Sequence, residues 1–305
     1  MGYLGPPGTF TEQALISQAD LATAELVELA SIPDVLEATA VGRVDLGFVP
    51  MENAIEGTVN VTLDTLAFEF DLLIEREVVI PVELNLLAGK GVALADIHRV
   101  VSMPHATAQC RAFLARALPH ADVVAANSTA EAARTIGERR DPHAAAIGTR
   151  LAAQIYGLEV LAANVADHLD NATRFVVVAR AGVPSPTGHD KSTIVIFQQA
   201  DRPGSLLAIL QEFAARAINL TKLESRPTKR GLGDYCFIVD LEGHIADELV
   251  ADCLRDLKAK NADVKFLGSY PAAGAKGESL RREAHAAWRD ADVWLTMLRS
   301  QIADR

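Results

Sequence analysis

The 305-residue sequence predicts an α/β protein in two parts, and three observations carry that expectation. The chain is 50% hydrophobic and 23% charged, enough apolar side chain for buried cores at a length that suits about two domains of ~150 residues. Residues 1–180 alternate short β-rich runs with Ala-rich helical patterns, the order of an α/β region. Residues 181–190 then collect two prolines and two glycines with no apolar period, which places a boundary there before the pattern restarts.

In the first part, strands are expected at Asp45–Pro50, His98–Ser102, Ala144–Gly148 and Phe175–Ala179, forming a largely parallel sheet. The helical stretches Ser128–Arg139 and Thr149–Tyr156 begin at hydroxyl residues suited to capping free N–H groups. Tyr3–Ala14 reads as strand, glycine turn and helix start, where free N–H groups would form an anion site. No lysine follows in P-loop position, so a nucleotide is not expected.

In the second part, a strand at Ser192–Gln198, a turn at Asp201-Arg202-Pro203-Gly204 and a helix at Ser205–Ala217 come first. Strands at Asn219–Arg226 and Tyr235–Leu241, a helix at Ala246–Ala259 and a strand at Val264–Tyr270 complete the order βαββαβ, a ferredoxin-like sandwich. Beyond it, Leu280, Ala284, Trp288, Ala291, Leu295, Leu298 and Ile302 form one stripe of an amphipathic helix. That helix is expected to dock on the chain's own body or across a subunit interface.

The formal charge is −11, and residues 1–189 carry 12 Lys or Arg against 23 Asp or Glu. This argues against nucleic-acid and anionic-membrane partners, both of which need a basic surface. No apolar run approaches ~18 residues and no basic leader opens the chain, so a cytoplasmic protein is expected. Cys110, Cys236 and Cys253 form no CxxC pair, which fits a reduced compartment. Asp167, His168 and Asp170 lack a third His or Cys at ligand spacing, so neither a metal nor another cofactor is expected.

Four polar segments carry the candidate chemistry. They are Thr9-Phe10 at the first helix start, Glu52-Asn53 after a buried strand, Ser102 at a strand end with Gln109 two turns into the next helix, and Thr173-Arg174-Phe175. Glu52 and Asn53 could equally cap the turn that follows them. Cys110 reads as an interior hydrophobe, and His105 is given no role. Thr173 offers a hydroxyl beside a guanidinium suited to a carboxylate. The set binds a small carboxylate and donates hydrogen bonds, but names no reaction.

In this order, and followed by the sandwich, Asn171-Ala172-Thr173-Arg174-Phe175, Glu52-Asn53, Ser102 with Gln109, and Glu224-Ser225-Arg226-Pro227 resemble prephenate dehydratase with a C-terminal ACT regulatory domain. The resemblance implies a two-lobed catalytic domain of periplasmic-binding-protein type at 1–180, with lobe 1 at about 1–77 and 164–180 and lobe 2 at about 78–163. A linker at 181–190, an ACT domain at 191–271 and the helix at 279–304 would follow. It further implies that prephenate loses its ring hydroxyl as water and its ring carboxyl as CO₂, giving phenylpyruvate. Thr173 would donate a proton to the departing hydroxyl or hold it by hydrogen bond, with Asn53, Ser102 and Gln109 on substrate oxygens. Glu52, Arg174, Phe175, Thr9 and Phe10 would complete the binding site. Where that family often reads Ser-His-Pro-Gln, this chain has Ser102-Met103-Pro104-His105.

Phenylalanine is the effector the ACT resemblance implies, held by Gly204, Ser205, Leu206 and Leu207 at the strand-to-helix turn and by Glu224, Ser225, Arg226 and Pro227. Binding between paired modules would make the protein a homodimer or homotetramer. Two other readings stay open at this level: arogenate dehydratase, and a ligand-binding sensor without catalysis.

Overall fold

The computed structural model describes residues 1–198, 203–229, 234–260, 262–273 and 293–301. It divides into two units, Met1–Gly182 and Val183–Arg305.

The first unit begins with β1 (Gly2–Leu4), α1 (Phe10–Ile16), β2 (Val27–Leu29), α2 (Ile32–Ala40), β3 (Leu46–Asn53), β4 (Gly57–Thr58), α3 (Asn60–Phe68) and β5 (Leu73–Pro81). The chain then builds a second sheet from β6 (Asn85–Ala88), β7 (Arg99–Ser102), α4 (Pro104–Ala108), α5 (Arg111–Ala117), β8 (Asp122–Ala125), α6 (Thr129–Arg139), β9 (Ala144–Gly148), α7 (Arg150–Tyr156) and β10 (Glu159–Ala162). It returns to the first sheet in β11 (Ala172–Ala179). The strand orders are β2-β1-β3-β11-β5, with β4 on β3, and β10-β6-β9-β7-β8.

Neither sheet is largely parallel, which corrects the sequence expectation. The sets β2-β1-β3 and β8-β7-β9 are parallel, but β11 runs against both β3 and β5, and β6 against both β9 and β10. The reason is the path: β11 arrives from the second sheet instead of through a helical crossover on the first, so it enters from the opposite end. It occupies the middle of its sheet, and its run Phe175-Val176-Val177-Val178 is accordingly buried on both faces. Phe175 stacks on Phe48 of β3 with centroids 5.3 Å apart, an arrangement that adds about 1 kcal/mol to simple burial.

The expected caps form. Ser128 accepts from the Glu131 N–H at 3.0 Å, and Thr149 from the Ala152 N–H at 2.9 Å. At the helix start around Thr9, expected as an anion site, the chain's own groups take up two of the N–H groups. Thr9 accepts from the Glu12 N–H at 3.3 Å while the Glu12 carboxylate accepts from the Gly8 N–H at 2.5 Å. Gly8 adopts φ +88°, and a Cβ there would sit 3.0 Å from the Ala152 backbone. Thr149 and Tyr156 hydroxyls donate to the Gly8 and Pro7 carbonyls at 2.7 Å each, strapping this loop to α7.

The second unit is β12 (Asp190–Gln198), α8 (Ser205–Ala214), β13 (Leu220–Pro227), β14 (Tyr235–Glu242), α9 (Glu248–Ala259) and β15 (Ala262–Pro271), in an antiparallel sheet ordered β13-β14-β12-β15. This is the ferredoxin-like βαββαβ sandwich. Its core sets Ile194, Ile196, Phe237 and Val239 against Ile209, Phe213, Val250 and Leu257. Helix α8 stops at Ala214, short of Ala217, which turns to φ +53°. Asp201 and Arg202 of the expected turn lie outside the described residues, as do Leu280, Ala284, Trp288, Ala291 and Ile302 of the C-terminal stripe. Residues 293–299 are helical, with Leu295 and Leu298 exposed. No helix among the described residues is long and apolar enough to cross a membrane.

Candidate active site

A cleft of about 860 Å³ opens within the first unit, lined from both of its sheets. Thr9, Phe10, Asn53, Asn171, Thr173 and Phe175 line it on one side, and Met103, His105 and Gln109 on the other. Phe10 packs into the core clusters of both sheets.

The centre of the site follows from strand register. Thr173 of β11 lies directly opposite Asn53 of β3. The Asn53 carboxamide is oriented without ambiguity: its Oδ1 accepts from the backbone N–H groups of Ile55 and Glu56 at 3.0 and 2.9 Å, so Nδ2 must be the group that reaches Thr173. It donates to Thr173 Oγ1 at 2.8 Å and to the Ala172 carbonyl at 3.3 Å. Asn53 therefore caps its turn and binds Thr173 together. The Thr173 hydroxyl receives a hydrogen bond, so its own proton is directed elsewhere, and Thr173, nine per cent exposed, stands at the cleft wall.

A second chain of hydrogen bonds crosses the cleft. Glu56 accepts from Gln109 Nε2 at 2.9 Å and pairs with His105 Nδ1 at 2.9 Å. Gln109 Oε1 accepts from Asn171 Nδ2 at 2.9 Å. Gln109 is thus fixed, but not within a helix: α4 ends at Ala108, Gln109 caps it, and α5 restarts after Cys110. The Cys110 thiol is buried and pushed up to about 12 by loss of solvation, with Asp167 adding to the shift, which makes it inert.

Three expected site residues do not reach the cleft lining. Ser102 is wholly buried and donates to the Ile147 carbonyl at 2.7 Å, tying β7 to β9. Arg174 and Glu52, cross-strand partners, project from the other face of the sheet, because alternate residues of a strand face opposite ways. Arg174 Nε lies 2.6 Å from the Glu77 carboxylate, and its Nη1 3.7 Å from Glu52. Glu77 has only one per cent of its side chain exposed.

Glu56, Asn171 and Arg134 also line the cleft; of these only Asn171 stands in a motif quoted from the sequence, and the sequence assigns a role to none of them. Period-two spacing before Thr173 was the available signal for Asn171. Arg134 stands on α6, three residues after Glu131, and brings a permanent positive charge to a wall that also carries Glu28, Glu56 and Glu131. Among the described residues no group of three or more His, Cys, Asp or Glu is placed to hold a metal ion.

In the second unit, Gly204 caps α8 at φ +86°, with nothing within 4 Å of an added Cβ. Its backbone angle, not a close approach, is what calls for glycine. Leu206 packs on the core and Leu207 is exposed. Glu224 on β13 stands 3.5 Å from Lys222 and 3.7 Å from Arg226, so an incoming ammonium would share its carboxylate with two cations. Ser225 and Pro227 alternate with them on the same edge strand, and both are exposed.

The family model for prephenate dehydratase matches residues 1–183, and that for the ACT domain residues 192–259. A prephenate dehydratase of Mycolicibacterium vanbaalenii is 43% identical over 291 residues, covering 91% of this chain and 92% of that one. The crystal structure of a prephenate dehydratase from Arthrobacter aurescens in complex with L-Phe matches with a TM-score of 0.86 at 40% identity, covering 98% of this chain and 99% of that one. A structure described as GqqA, a novel type of quorum-quenching acylase, matches with a TM-score of 0.79 at 29% identity, covering 89% of this chain and 97% of that one.

Proposed function

Because the chain belongs to the prephenate dehydratase family, we propose that its first unit dehydrates and decarboxylates prephenate to phenylpyruvate, as a carbon–oxygen lyase of the hydro-lyase type. The observation that supports this most is the Thr173 hydroxyl, held as acceptor by Asn53 and left with its proton to give. Electrons of the ring–carboxylate bond become a ring π bond as CO₂ departs, and the ring C–O bond breaks with its pair going to oxygen. Thr173 gives that oxygen its proton, water leaves, and one proton from solvent restores the hydroxyl. A threonine is a weak acid, so transfer is concerted with C–O cleavage, and the bond from Asn53 polarises the hydroxyl for it. Aromatisation supplies the driving force, and the enzyme's part is orientation. A wall rich in Glu and poor in cations suits loss of CO₂, since a tight cation on the ring carboxylate would hold it back.

An acyl-transfer reading, which the acylase likeness raises, needs a hydroxyl beside a base. Here Ser102 donates to a backbone carbonyl, Ser128 accepts from the Glu131 N–H, and Thr173 faces a carboxamide. The dehydratase reading is the better supported.

The second unit we assign to phenylalanine binding, between paired copies in a homodimer or homotetramer, at Gly204–Leu207 and Glu224–Pro227. We further propose a cytoplasmic location, which three free thiols favour. The test is formation of phenylpyruvate from prephenate, and of phenylalanine from arogenate, each with and without phenylalanine and without added metal. Prephenate turnover altered by phenylalanine supports both assignments. Preference for arogenate corrects the substrate, and turnover of neither overturns the reading.

A further inference from the structure

The buried side of the Asn171 carboxamide is the feature of the cleft that the catalytic reading leaves unused. Asn171 is two per cent exposed and lines the cleft, and its Oδ1 meets no hydrogen-bond donor among the described residues. A buried acceptor left alone costs about 1–3 kcal/mol, so one retained at a cleft wall points to a ligand that supplies the donor.

Its polarity is imposed from a distance. Glu56 only accepts hydrogen bonds when ionised, so Gln109 must offer it Nε2. Gln109 Oε1 is then turned to Asn171, which must offer Nδ2, and Oδ1 is left as the unpaired acceptor. One carboxylate thereby fixes the orientation of two carboxamides.

Resting on the reading that the substrate is prephenate, we infer that Asn171 Oδ1 accepts the hydrogen of the substrate's ring hydroxyl, and that Glu56 is the positioning residue that keeps it an acceptor. The two carboxylates and the keto group of prephenate only accept, and the ring hydroxyl is its one donor. Asn171 and Thr173 stand two apart at the same cleft wall, so one hydroxyl meets both. Its hydrogen goes to Asn171, which turns an oxygen lone pair to the Thr173 proton. The product has no ring hydroxyl and loses nothing when Asn171 is removed.

The test uses the full-length enzyme, with kcat and KM for prephenate and the inhibition constant of phenylpyruvate. Asn171→Ala is expected to lower kcat/KM for prephenate about tenfold, with the phenylpyruvate constant moving less than about twofold. Equal weakening of both ligands, or of neither, overturns the assignment. Asn171→Asp faces Gln109 Oε1 with a second acceptor and is expected to lose more than Asn171→Ala. Adding Glu56→Gln lets Gln109 reverse and donate to the new carboxylate, so the double variant recovers at least about threefold over Asn171→Asp alone. Failure to recover overturns the relay. Turnover by the unmodified chain in the same assay separates failure of the prephenate reading from failure of this assignment.

Discussion

The two faces of strand β11 carry opposite kinds of chemistry. On the cleft side, Thr173 and Phe175, with Asn171 just before the strand, present a hydroxyl, a ring and a carboxamide. On the far side Arg174 is enclosed with Glu77 and Glu52. Residues adjacent in sequence thus meet different surroundings: Thr173 faces Asn53 at the cleft, while Arg174 ties β11 to the strands on either side of it. Strand alternation divides the two roles, and a motif quoted as one string conceals the division.

Breaking the cleft face has the largest expected effect. Thr173→Ala should lower kcat by about 10²–10⁴-fold, with KM for prephenate changing little, as steady-state kinetics of phenylpyruvate formation would register. A loss confined to KM would make Thr173 a binding residue only. On the far face, Glu77→Ala leaves a buried guanidinium with a weaker partner and should destabilise the first unit by about 3 kcal/mol, read by urea unfolding. Full stability with lost activity would instead put Arg174 in the catalytic machinery. Smaller again, Asn53→Ala should lower kcat about tenfold, the worth of one polarising hydrogen bond. Least of all, Cys110, Cys236 and Cys253 should resist alkylation in the folded enzyme and react after unfolding, since all three are buried. Burial also pushes the Cys253 thiol up to about 12, as it does Cys110.

Local signals in the sequence carried the secondary structure well where they were chemical. Ser128 and Thr149 announce helix starts because only a side-chain acceptor satisfies the N–H groups there. The order βαββαβ was readable because each element buries one face on its own short span. What stayed hidden depends on distant pairing. Asn53 and Thr173 are 120 positions apart, and only the register of β3 on β11 joins them. Gln109 was expected inside a helix, yet the chain breaks there, and the break aims its carboxamide between Glu56 and Asn171. Glu12 takes up the Gly8 N–H at the first helix start because a residue three positions past a cap folds back on it.

If Asn53 acts through Thr173, the two substitutions cannot be independent, and a double-mutant comparison decides it. With kcat for prephenate measured in Asn53→Ala, Thr173→Ala and the two combined, the combined variant should be no slower than Thr173→Ala within about twofold, because Asn53 has nothing left to polarise. Losses that multiply would show two independent contributions and contradict the coupled pair.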